Sequence, residues 1–245
     1  MTKDGRPSRI NDIRYFHRNL HSYLEGHNEE VAFGRRLAWF LNGERFSLGA
    51  YSSLYIFFTT SIEPGAIQVS DYGGDWWQRY THVGVTSEFP NDPESGKQIR
   101  RGTIAALNAI RPEQGETIEN AAKIVDLYRT NLRFLLKTRS TKRFKTEISF
   151  NIAAWPEPSS LFVSLTDLSS GGFLEGSPIP LRAYFEAFDL AGSIKVTDSM
   201  ATLTPNQSVA AQLASLHHGG PLKKAISEFC PRERPMMSQL VARRG

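Results

Sequence analysis

Hydrophobic positions along the chain switch between two periods, and the switches mark out its elements. Ile10, Ile13, Phe16, Leu20 and Leu24 recur at spacings of three and four, which predicts a helix over 9–25 closed by Gly26 as a left-handed cap. A second helix is predicted over Glu29–Leu41, with Asn28 as N-cap and Gly43 as stop. The near-continuous apolar run Ser53–Thr59 (SLYIFFT) reads as a buried central strand. Glu63-Pro64-Gly65 reads as a type II turn, because Pro presets φ and Gly takes the positive φ. Ala66–Ser70 then pairs back as a hairpin, Asp71–Asp75 turns again, and Trp76–Val85 completes a three-stranded meander.

The second half follows the same logic. Helices are predicted over 96–110 and 117–137, the latter with Ile118, Ala121, Val125, Tyr128, Leu132, Leu135 and Leu136 on one stripe. Strands follow over Phe144–Ala154 and Leu161–Leu165 around a Pro156-Glu157-Pro158 turn. Helices are expected over Leu181–Leu190, 206–216 and 222–229, with a short strand at Ile194–Thr197 and a loose basic tail over 231–245. The expected fold is a single α+β domain. Its mostly antiparallel sheet is built from two hairpin or meander units with helices packed on it. Arg45-Phe46 to Gly73-Gly74 and Arg143-Phe144 to Gly171-Gly172 bracket similar strand–turn–strand units, each with a Glu-Pro turn. The echo is either a degenerate duplication with halves 1–110 and 111–222, placing both hairpins in one pseudo-symmetric sheet, or a coincidence of turn residues.

Composition adds little to this until it is resolved by position. At 245 residues with 40% hydrophobic and 22% charged side chains, the chain can bury a core without staples. It has no run of 18 apolar residues, a polar start and one cysteine, Cys230, so a soluble, reducing, cytoplasmic setting is expected without disulfides. The net charge of +4 hides a segregated layout: +3 over 1–18, −6 over 19–96, +8 over 97–145, −5 over 146–222 and +4 over 223–245. The strand-rich blocks are acidic; the helical connector and tails are basic.

No cofactor motif is present. GxSxG, SxxK, the P-loop, GxGxxG and HExxH are all missing, so the reading leans away from an enzyme. Asp71, Asp75, Glu63 and His82 could together hold a metal for hydrolysis, but Asp and Gly are also the ordinary residues of tight turns. His17 and His21 stand four apart without a third ligand. Arg129, Arg133 and Lys137 fall at i, i+4, i+8 of the predicted helix, with Lys142 and Arg143 just beyond. Such a stripe could track a nucleic-acid backbone, or simply be a solvated face. Trp76-Trp77-Gln78-Arg79-Tyr80 would put two tryptophans on opposite faces of a strand, one inward and one toward a partner.

LYIFFTT (Leu54–Thr60) followed by WWQRYTHVGV (Trp76–Val85) resembles bacterial immunity proteins of polymorphic toxin systems. Some of these pair an LYI strand with a later W-x-RY-x-x-VG strand. The likeness covers about forty residues and does not extend to the helices or the second hairpin. It implies a non-enzymatic, cytoplasmic protein that binds one toxin and blocks it. The acidic strand blocks agree, since nuclease toxins carry positive surfaces and an acidic inhibitor gains on-rate against them. The contact residues expected on this reading are Glu63, Asp71, Asp75, Trp76, Trp77, Arg79 and Tyr80.

Overall fold

The computed structural model describes residues 8–17, 22–70 and 74–239. The chain divides into two compact units between Arg129 and Thr130.

The first unit contains β1 (Asp12–His17), α1 (Asn28–Gly43), β2 (Ser53–Thr59), β3 (Ile67–Val69), β4 (Gln78–Gly84), α2 (Ser95–Ile110) and α3 (Gly115–Tyr128). Its sheet runs in the order β1-β2-β4-β3. β1 and β4 flank β2 in parallel, and β3 lies antiparallel on the far side of β4. All seven β2 residues are buried, as the apolar run Leu54–Phe58 predicts. The helices cover one face. Tyr15 of β1 lies beneath Gly34 of α1 and hydrogen bonds Thr103 of α2 at 2.8 Å; Phe58 and Val83 lie beneath Gly102 of α2.

Three expectations for this unit are corrected. Within the segment read as helix 9–25, Asp12–His17 form β1, and 18–21 lie outside the described residues. Tyr15 faces the helices while Phe16 faces away, so both strand faces are bulky and no period of two is visible. The expected N-cap Asn28 is the first helical residue; His27 takes the cap position. The meander is also absent, because β3 pairs with β4 and never with β2. The Glu63–Gly65 turn forms as expected: Ala66 N–H donates to the Glu63 carbonyl at 2.9 Å and Gly65 has φ 84°. It sends the chain along the outer edge of β4, where a Cβ on Gly84 would stand 2.7 Å from the Glu63 carbonyl carbon. The sheet is therefore mixed.

The second unit contains β5 (Arg133–Ser140), β6 (Phe144–Phe150), β7 (Ser159–Asp167), β8 (Phe173–Glu175), β9 (Ile179–Leu181), α4 (Glu186–Leu190), β10 (Ser193–Val196), β11 (Met200–Thr204), α5 (Val209–His217), β12 (Leu222–Ala225), β13 (Cys230–Pro231) and β14 (Met237–Gln239). Its larger sheet follows β13-β8-β7-β6-β5-β14, with β9 beside β7; β10, β11 and β12 form a smaller antiparallel sheet. The predicted helix 117–137 ends at Tyr128, because Arg129 turns to φ 45° and the chain enters β5. Leu132, Leu135 and Leu136 extended the apolar stripe by coincidence. Residues 222–225, expected in a helix, are strand, and 237–239 pair with β5 rather than hanging loose. The two echo units do not share a sheet. The first encloses a parallel β2–β4 pair and the second an antiparallel β6–β7 hairpin. Among the described residues no helix is long and apolar enough to cross a membrane.

Candidate functional site

The parallel register of β1, β2 and β4 stacks their outward-facing side chains in rows across the sheet. Asp12, Ser53 and Gln78 are aligned, then Arg14, Tyr55 and Tyr80, then Phe16, Phe57 and His82. This is the face opposite α1 and α2. Phe16, Tyr55, Phe57 and Tyr80 form one buried aromatic cluster, with ring centroids 5.1–5.7 Å apart between neighbours. The Arg14 guanidinium sits 5.5 Å from the Tyr55 centroid. Burial raises the Tyr55 phenol above its usual pKa, and Arg14 opposes the rise. Burial also lowers the His82 imidazole, whose ring stacks 5.3 Å from Phe57.

The chain before β4 folds onto this cluster. A Cβ on Gly74 would meet Tyr80 Oη and stand 2.8 Å from Gln78 Oε1, so a larger residue there must displace both side-chain ends. Tyr80 Oη donates to Gln78 Oε1 at 2.9 Å. Asp75 N–H donates to the same oxygen at 3.0 Å, and Gln78 Nε2 donates to Asp75 Oδ2 at 3.1 Å. The Trp77 carbonyl accepts from Ser52 N–H at 2.9 Å and Ser53 N–H at 3.0 Å. Asp75, Trp76 and Trp77 are thus held at the start of β4 by hydrogen bonds on both sides. Trp76 is 73% exposed, and its ring meets Trp77 edge to face at 5.6 Å and 89°.

The predicted contact residues are not all in one place. Asp71 lies outside the described residues, as does His21. Trp76 and Trp77 precede the strand, which begins at Gln78, so strand alternation does not place them on opposite faces. Tyr80 is buried at 8% exposure and scaffolds the loop from beneath. Arg79 points to the opposite face, 5.2 Å from the Tyr51 ring. Glu63 is exposed beside Gly84, at the other end of β4 from Asp75, about 20 Å away at the usual rise per strand residue. His82 likewise stands two rows from Gln78, the residue that holds Asp75. Among the described residues no three His, Cys, Asp or Glu side chains come together as a metal would need.

The basic stripe is dispersed by the second unit. Arg133 pairs with Glu175 and lies 3.6 Å over the Phe162 ring. A bulge between Leu135 and Lys137 sends Lys137 to the other face, where it donates to the Gly192 carbonyl. Lys142 and Arg143 fall in the β5–β6 turn, with Arg143 3.9 Å from Asp167. Arg129 stands at the end of α3.

Sequence reasoning missed Gln78, Arg14 and Tyr55. The alternating positions 53/55/57 and 78/80/82 hold the signal, but it is readable only once the parallel register is known. No protein-family model, curated protein or solved structure matches this chain.

Proposed function

We propose that this is a non-enzymatic binding protein of the immunity or antitoxin type, which neutralises a bacterial toxin by occluding it. The observation that carries the reading is the loop Asp75–Trp77. A loop hydrogen bonded on both sides presents a tryptophan at 73% exposure beside a carboxylate, a fixed anchor that a partner can cover. Tryptophan anchors beside charged groups dominate binding energy at protein interfaces. The surface proposed is narrower than the sequence implies. Asp75, Trp76 and Trp77 contact the partner, Gln78 and Tyr80 hold them in place, and Glu63 lies outside the central patch.

The test begins with capture of the partner from cells that carry the gene, aided by any toxin coding sequence adjacent to it. Titration of that partner then compares the native chain with Trp76→Ala and Asp75→Lys. Each should weaken binding by about 2 kcal/mol, roughly thirtyfold, at unchanged melting temperature. Unchanged affinity in both folded variants, or a captured partner whose toxicity this protein does not reduce, would refute the reading. The dispersal of Arg129, Arg133, Lys137, Lys142 and Arg143 removes the helical stripe on which a nucleic-acid role rested.

A further inference from the structure

The two tryptophans of the loop do more than expose apolar area, because their rings stand at a right angle. In an edge-to-face pair with centroids 5.6 Å apart, the two ring planes meet in a corner. A charge seated about 4 Å above both ring planes would lie about 5.7 Å from one centroid and about 4.3 Å from the other, inside the roughly 6 Å reach of a cation–π contact to each. Trp76 is open to solvent and Trp77 is half-buried, so one wall is accessible and the other anchored. An exposed carboxylate, Asp75, directly precedes the pair, and its hydrogen bond to Gln78 Nε2 at 3.1 Å fixes one oxygen. The opposite orientation of charge is absent from the loop: residues 74–78 carry no lysine or arginine, and the nearest one, Arg79, is turned to the helix side against Tyr51.

We infer that the Trp76–Trp77 corner, with Asp75, is a receptor for a single lysine or arginine side chain presented by the partner protein. The inference rests on the contact-surface reading above and adds the chemistry of the partner residue. Two perpendicular indole faces and one carboxylate discriminate by charge, since an aliphatic chain of the same length gains area but neither the ring quadrupoles nor the ion pair. Gln78, which accepts from both Tyr80 Oη and Asp75 N–H, ties the backbone on either side of the pair before any ligand arrives.

The experiment uses the full chain and small probes, so it does not need the partner. Indole N–H resonances of Trp39, Trp76, Trp77 and Trp155 are assigned by single Trp→Phe variants. The protein is then titrated to tens of millimolar with acetyl-arginine amide, and separately with acetyl-citrulline amide, its neutral isostere, at matched ionic strength. The expected result is a saturable shift of the Trp76 and Trp77 resonances with the arginine probe and at least a fivefold weaker response to citrulline. Asp75→Asn keeps the acceptor for Gln78 Nε2 but removes the charge, and should weaken the arginine response about three- to tenfold. Trp76→Leu should abolish it, while Trp76→Phe retains part. Equal shifts with both probes, no shift with either, or an Asp75→Asn variant that responds like the native chain would overturn the inference. Failure here with a captured partner still lost in Trp76→Ala would leave occlusion standing and remove only the cation. Success here with no partner whose toxicity the protein reduces would do the reverse.

Discussion

Replacing Gly34 with alanine tests the packing of α1 on β1, which sets which side chains face the aromatic cluster on the other side of the sheet. On an isolated helix the change would gain about 1 kcal/mol, since alanine is the better helix former. In the folded chain a new Cβ would collide with Tyr15 Oη and stand 2.8 Å from Tyr15 Cζ. Tyr15 is 3% exposed and cannot swing into solvent, and its hydroxyl is committed to Thr103 Oγ1 at 2.8 Å. Overpacking of this kind costs about 1–3 kcal/mol, and a buried hydroxyl driven off its partner costs about 1–3 more. Set against the helix gain, Gly34→Ala should destabilise the protein by about 3 kcal/mol, or roughly 10 °C in melting temperature. Tyr15→Phe alone should cost about 1 kcal/mol, because Thr103 Oγ1 still donates to the Ile99 carbonyl at 2.7 Å. Combined, the two should cost at least about 1 kcal/mol less than their sum, since the phenylalanine removes the nearest clashing atom. Urea unfolding followed by both tryptophan fluorescence and circular dichroism measures all three, and coincident curves establish that one transition is being read. A neutral or stabilising Gly34→Ala would mean that β1 does not pack beneath α1, and the rows of the opposite face would lose their basis.

Other outcomes follow from the same structure. Gly74→Ala should push on Tyr80 Oη and Gln78 and shift the Trp76 and Trp77 indole resonances while leaving Trp39 unmoved. Glu175→Gln removes the charged partner of Arg133, whose side chain is only 16% exposed, and should cost about 2 kcal/mol in urea unfolding. Burial holds the His82 and His218 imidazoles below the ordinary value of 6.5 in the fold. The unfolded chain therefore binds protons first as pH falls, so stability should decline below about pH 6.5. Unfolding midpoints across pH 5–8 should show a smaller decline in His82→Gln; an identical pH dependence would contradict the burial of that ring.

What the sequence made legible depended on how many faces of an element are buried. β2 was readable to the residue because it is buried on both sides, and SLYIFFT is apolar from Leu54 to Phe58. The Glu63–Gly65 turn was readable because its backbone needs Pro and Gly at fixed places. β1 was misread because Ile13, Tyr15 and Phe16 serve two faces, and Ile10, Ile13 and Phe16 recur every third residue. The 117–137 helix was drawn too long because nothing local announces the turn at Arg129, a non-glycine residue at positive φ. Trp76 and Trp77 were picked out as contact residues by type alone. Their geometry could not be read, because the contact of Gly74 with Tyr80 and the hydrogen bond from Ser52 to the Trp77 carbonyl exist only in the fold.

The parallel pairing of β2 also bears on how the chain is made. Neither neighbour of β2 is its hairpin partner, so the sheet cannot close as β2 is completed. β1 must be retrieved from some forty residues upstream, and β4 arrives roughly two dozen residues later, one to five seconds at usual rates of synthesis. For that interval the most apolar strand in the protein has an open edge. A ribosome stalled once Thr59 but not yet Gly84 has left the exit tunnel would hold a nascent chain prone to capture by chaperones or by a second copy of the same strand, whereas a stall after both have emerged would not.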